Sequence, residues 1–183
     1  MKLKTLLLMA FVTVSTFAQE TEFKFSKEGL TDFIVTNYDG SAKDTYNRAL
    51  AWVKDTSKKS FVNFVVVSSV ENENEKLVIE GVKQNFICSK AGGTNVCTFA
   101  TFTIAITFKD GKYKLEAVGL SEKANNSINT VVHNLDDFSE YYDKDGTLKK
   151  YKDEVPVAYE SLFNDLNKSL IAFMDKKKKA ENW

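Results

Sequence analysis

The sequence predicts an α+β domain: a mainly antiparallel β-sheet packed on one face by helices. Three observations predict it. A capped, helix-period segment follows Gly40, a long β-patterned stretch runs from Ser60 to Leu120 about a strong hairpin signal, and an amphipathic helix pattern follows Pro156. The 183 residues are 43% apolar, enough for one domain with its own core.

The chain opens β then α. Leu30 to Tyr38 is rich in β-formers and ends at the Asp39-Gly40 turn signal. Ser41 and Asp44 then form a capping start, and Tyr46, Ala49, Leu50 and Val53 recur at helical spacing, so a helix is expected over about residues 41 to 55. Phe61 to Val70 is apolar on both faces, as a central strand would be. Lys76 to Cys88 reads as a longer, more polar strand with a bend at Gly81.

Thr101 to Phe108 alternates almost strictly. Phe102, Ile104, Ile106 and Phe108 occupy one face, and Thr101, Thr103, Ala105 and Thr107 the other. Asp110-Gly111 is a two-residue hairpin signal. Folding about it pairs Phe108 with Tyr113, Ile106 with Leu115 and Ile104 with Ala117, and on the opposite face Thr107 with Lys114 and Ala105 with Glu116. Residues 121 to 155 are polar, punctuated by Asn125-Asn126-Ser127 and Asp143 to Gly146, and predict a long connection with short elements at most. Pro156 suits a helix's first turn. Tyr159, Leu162, Phe163, Leu166, Leu170 and Phe173 give an apolar stripe over about 156 to 176, for which the Phe102 face of the sheet is the better partner.

Residues 1 to 18 read as a secretory signal: Lys2 and Lys4, an apolar run from Leu6 to Phe17, and a small-residue cleavage site ending at Ala18, so that the mature chain begins at Gln19. The run is too short to span a bilayer, and no cysteine follows it to carry a lipid anchor. The expectation is an exported protein, periplasmic or extracellular, without stable membrane insertion after cleavage. Cleavage would take two lysines from a balance of 25 basic and 25 acidic residues, leaving −2. Such a chain lacks the basic balance of a nucleic-acid binder, and no nucleic-acid partner is expected. Cys88 and Cys97 are the only cysteines; in an oxidising compartment they are expected to form a disulfide across the turn at Ala91-Gly92-Gly93-Thr94. Closing so short a loop is worth roughly 2.5 to 3 kcal/mol.

Candidate chemistry is sparse. His133 is the sole histidine, with Asp136, Asp137, Ser139 and Glu140 close behind it. A paired-carboxylate hydrolase could draw on Asp136, Asp137 and Glu140, with His133 as a further acid or base. No strained nucleophile turn accompanies them. Asp143-Lys144-Asp145-Gly146 has the beginnings of a calcium loop, but its glycine and later positions do not fit an EF-hand, so it reads as a turn. Lys176 to Lys179 complements a helix C-terminus, and the Thr101, Thr103 and Thr107 row suits an exposed strand face. No metal site and no cofactor is expected.

The helix Ser41 to Trp52, with its Ala49-x-x-Trp52 ending, and the later Phe108-Lys109-Asp110-Gly111-Lys112-Tyr113 hairpin resemble the DUF4468 domain, within a similarity running from Asp39 to Gly119. The terminal Asn182-Trp183 resembles endings seen in that group, whereas the loop from Cys88 to Cys97 looks like a local addition. The resemblance implies an exported bacterial protein, mostly of Bacteroidetes, with a TBP-like fold: a curved sheet with helices on one side. It implies no functional residues, because none is recognised in that family. The expected organisation is a signal peptide over 1–18, a DUF4468-like domain over 19–122 with its core at 30–120, and a connection and helix over 123–183 packing on the same domain. The expected function is a non-catalytic binding or interaction module of the periplasm or cell envelope, its partner a protein or small ligand there. A hydrolase built on residues 133–140 is one alternative. An envelope assembly component that adds strands to a partner is the other, and it requires a long unpaired sheet edge.

Overall fold

The computed structural model describes residues 20–59, 62–70, 76–91, 93–124 and 127–181. The signal-peptide zones and the Ala18–Gln19 cleavage point lie outside them. In chain order the elements are β1 (Phe25–Ser26), β2 (Gly29–Leu30), β3 (Phe33–Asn37), α1 (Ala42–Lys59), β4 (Val62–Val70), β5 (Lys76–Lys83), β6 (Cys88–Ala91), β7 (Thr94–Lys109), β8 (Lys112–Ala124), β9 (Val131–His133) and α2 (Glu154–Glu181). The main sheet is antiparallel in the order β3-β8-β7-β5-β4, with β6 added to β7 and β9 to β8.

The β7–β8 hairpin is its spine. All five cross-strand pairs expected from the Asp110-Gly111 turn are present. Gly111 has φ 78°, the left-handed conformation such a turn needs. The same turn starts α1, because Asp110 Oδ1 accepts the Ala42 N–H at 2.8 Å while Ser41 Oγ accepts the Asp44 N–H at 3.1 Å. Two donors at the helix start are thus satisfied, one by the local cap and one by a residue 68 positions away.

Beyond Ala117 the register shifts, with Gly119 opposite Thr103 and Leu120 opposite Phe102, so Val118 is an extra, exposed residue. Without that bulge the pleat would turn Leu120 to solvent; with it, Leu120 shares the buried face with Phe102. Both helices cover this face. Phe102, Ile104 and Ile106 are fully buried beneath Tyr46, Ala49 and Trp52 of α1 and Tyr159, Phe163 and Met174 of α2. Each large apolar side chain buried here contributes about 1.5 to 3 kcal/mol against exposure. Phe173 is only partly buried; Met174 takes the last core position, and Lys177 lies over the Phe173 ring.

Gly81 stands opposite Phe102 in an unbroken β5–β7 register, and the Phe102 ring occupies the space a side chain would need there. Two expectations are corrected. The β5 strand stops at Lys83, and Cys88 belongs to the separate β6. The strand beginning near Phe61 is not central, because β4 is the terminal strand of the sheet. Composition reports burial and pairing potential; it does not report sheet order.

Candidate functional site

The region around His133 forms a buried network rather than an open carboxylate site. β9 places His133 opposite Leu120, two positions before Glu122 on β8. Its Nε2 lies 3.3 Å from Glu122 Oε2, and its Nδ1 is 3.1 Å from the Tyr141 hydroxyl. Which of the Tyr141 hydroxyl and Nδ1 donates follows from the imidazole tautomer. Tyr159 of α2 packs its ring edge-on against His133 at 5.6 Å and against Phe138 at 5.4 Å. Burial pushes the Tyr159 hydroxyl far above the ordinary phenol range. Burial also raises the Glu122 carboxyl, but its hydrogen bonds to His133 and Thr98 and the charge of Lys152 outweigh that and hold it below the usual carboxylate range. The side chains of His133 and Glu122 are 9% and 18% exposed and Tyr141 is buried, so this network ties β8, β9, residues 139–141 and α2 together without offering a solute an open face.

The neighbouring acids point elsewhere. Asp137 Oδ1 accepts the Ser139 N–H at 2.8 Å, and this backbone hydrogen bond is the main cause of a carboxyl lowered from its ordinary value. Asp136 borders a small cavity of about 160 Å³ beside Leu30 and Glu116, which His133, Asp137 and Glu140 do not line. Glu140 is exposed. His133, Asp136, Asp137 and Glu140 are therefore not brought to one site.

Asp143 to Gly146 is a closed turn: Asp143 N–H donates to Thr147 O at 2.8 Å, Gly146 has φ 85°, and Asp145 Oδ1 accepts from the Thr147 N–H and hydroxyl. In the lysine run, Lys178 donates to the Asp39 carboxylate at 2.7 Å and fastens the end of α2 near the start of α1. Cys88 and Cys97 stand directly opposite in the β6–β7 ladder and are disulfide-bonded.

Among the described residues lies a cleft of about 610 Å³, within the usual size range of small-molecule sites. It lies between the second half of α1, which supplies Trp52 and Thr56, and the first turns of α2, which supply Val157, Ala158, Ser161, Leu162, Asp165, Leu166 and Ser169. Lys83 ends the strand beside it, and Phe86, Ile87 and Cys88 close the remaining side. Its floor is apolar: Trp52, Phe86, Leu162 and Leu166 are buried. Trp52 is oriented by its indole N–H, which donates to Ser169 Oγ at 3.0 Å. Phe86 is held from behind by Tyr159 at 5.5 Å, so the polar network supports one wall of the cleft. Asp153, Glu154 and Asp165 bring negative charge to its border, faced by Lys83.

Such a space can take an apolar group on its floor, orient it through the hydroxyls of Thr56 and Ser161, and favour a cationic substituent at its acidic border. The sequence does not announce it. Its one local trace is on α2, where Ala158, Ser161, Asp165 and Ser169 recur three and four residues apart beside the apolar stripe, so a small and polar row faces what could have been more core.

Residues 34–123 match the profile of a domain of unknown function, DUF4468, with TBP-like fold. No curated protein matches the sequence significantly. Two crystal structures share the architecture. A DUF4468 family protein from Bacteroides ovatus superposes with a TM-score of 0.59 at 13% identity, over 80% of this chain and 86% of its own. A TBP-like protein from Parabacteroides distasonis gives 0.51 at 14% identity, over 78% and 90%. At such identities the likeness is one of fold, which carries no activity with it. Over residues 34–123 this chain carries a domain of the DUF4468 family, with the TBP-like fold.

Proposed function

We propose that this protein is a non-catalytic binding module of the periplasm or cell envelope, and that it takes a small, largely apolar ligand in the cleft between α1 and α2. The observation that carries the reading is the cleft itself: about 610 Å³ of space over a buried apolar floor, with hydroxyls and acids confined to its border. The envelope location draws support from the signal-like residues 1–18 and from the Cys88–Cys97 disulfide, which suits an oxidising compartment. Among the described residues no helix is long and apolar enough to cross a membrane.

A hydrolase centred on residues 133–140 gains nothing from the geometry, since its carboxylates are dispersed and its histidine is enclosed. The binding reading is tested by amide chemical-shift mapping with a panel of aromatic and aliphatic amines. Shifts should cluster at Trp52, Ile87, Val157 and Ser161 and vanish in Ala158→Trp, which fills the cleft. Shifts absent throughout the panel, or scattered over the surface, would overturn it.

A further inference from the structure

β4 combines a position and a composition that seldom occur together. It ends the sheet, pairing with β5 on one side and with no strand on the other among the described residues. Its nine residues, Val62-Asn63-Phe64-Val65-Val66-Val67-Ser68-Ser69-Val70, contain no charge, proline or glycine. Soluble domains blunt such edges with lysines, prolines or short length, because a row of unpaired N–H and C=O groups is a template for another strand. The opposite edge is short: β3 has five residues. On β4 the one irregularity is the register shift between Val66 and Ser68, which leaves Val62 to Val66 in regular pairing. This is why the segment reads as a central strand from sequence while lying at an edge.

We propose that β4 is completed by the β4 of a second copy of this chain, paired antiparallel about a two-fold axis so that the two sheets become continuous. Two features favour a second copy over an unrelated strand. An uncharged strand meets no like-charge conflict with itself, and a two-fold axis makes antiparallel pairing of identical strands self-consistent. The flanking sequence also differs in charge on the two sides of β4, with Lys58-Lys59 at the end of α1 before it and Glu71, Glu73 and Glu75 after it, a pattern that favours antiparallel over parallel pairing of two copies. This assembly is independent of the cleft, and either can fail without the other.

The test is sedimentation of the mature chain over a wide concentration range, together with the Asn63→Lys/Val65→Lys double variant. Those two residues pair with Val82 and Glu80 of β5 and not with the buried Ile79, so the lysines add charge to the edge strand away from that core position. The expected result is a dimer that the double variant weakens about tenfold or more, through like charges brought together across the new ladder. Should the variant fold poorly, hydrogen exchange of the native chain decides: amides of β4 should gain protection as concentration rises. A chain that stays monomeric at every concentration overturns the proposal, as does a dimer indifferent to the lysines or one whose concentration-dependent protection lies outside β4.

Discussion

Replacing Gly81 with alanine tests the packing between sheet and helices at its tightest point. A Cβ at Gly81 would lie 2.3 Å from Phe102 Cζ, 2.8 Å from Cε2 and 3.0 Å from Cε1. All three atoms belong to the outer edge of one ring, which is fully buried and packs edge-on against Phe163 of α2 at 6.4 Å. To restore ordinary contact the ring must move by about an ångström into that helix, and overpacking of this kind costs about 1 to 3 kcal/mol. Alanine also removes the conformational freedom of glycine in the unfolded chain, a gain of about 0.4 to 1 kcal/mol that offsets part of the clash. The net loss is then centred near about 1.3 kcal/mol and reaches at most about 2.6 kcal/mol, which for a chain of this size lowers Tm by up to roughly 10 °C. Thermal unfolding followed by circular dichroism reads it directly. In a Phe102→Leu background, where the ring edge is gone, Gly81→Ala should be neutral or stabilising, giving a coupling of about 1 kcal/mol or more. If Gly81→Ala stabilises the wild-type chain, or costs the same in both backgrounds, the contact does not govern the site.

Three further outcomes are expected. Tyr113→Phe keeps the ring but leaves Asn167 Oδ1, now bonded at 2.7 Å, buried without its donor, which should cost about 1 to 3 kcal/mol in denaturant unfolding; a loss below about half of that would show the bond to be replaced by water. Replacing both Cys88 and Cys97 with serine should lower stability by about 2 to 3 kcal/mol, and reductant should reproduce the loss in the wild-type chain while leaving the variant unchanged. Tyr113 and Tyr159 are held protonated well above the ordinary phenol range, chiefly by burial. Their contribution is therefore complete below about pH 10, where the unfolded phenols begin to ionise, and declines as pH rises from there toward the folded-state values. Tm should fall steeply above about pH 10, and less steeply in Tyr159→Phe.

The parts of the fold that could be read from the chain are those in which local chemistry and pattern constrain each other. Asp110-Gly111 sets a two-residue turn, and the alternation of Phe102 to Phe108 then admits one register, which is the one present. The disulfide followed from the same reasoning, with Cys88 and Cys97 equidistant from a glycine turn. Sheet order was not legible, because an uncharged strand such as Val62 to Val70 carries the same pattern in the middle of a sheet as at its end. The Val118 bulge was hidden too, being a one-residue insertion that only the burial of Leu120 requires.

The site was less legible than the fold, for a physical reason. His133 was visible as a lone titratable group, but its partners Glu122, Tyr141 and Tyr159 lie on three other segments, brought to it by the β8–β9 pairing, the turn at 139–141 and α2. The cleft is more remote still from sequence, since it consists of the space that Trp52, Phe86 and Leu162 leave between them. A pattern of residues records what is filled; an unfilled volume is set by the angles at which filled elements meet.

The central claim, a ligand-binding cleft between α1 and α2, is tested most directly by native mass spectrometry of the protein purified from its own cells, beside its Ala158→Trp variant prepared identically. The account predicts a discrete mass excess on the wild-type chain, released on denaturation and missing from the variant. A wild-type chain that carries no such excess and takes up none from an extract of its own envelope, or an excess that the variant retains undiminished, would contradict it.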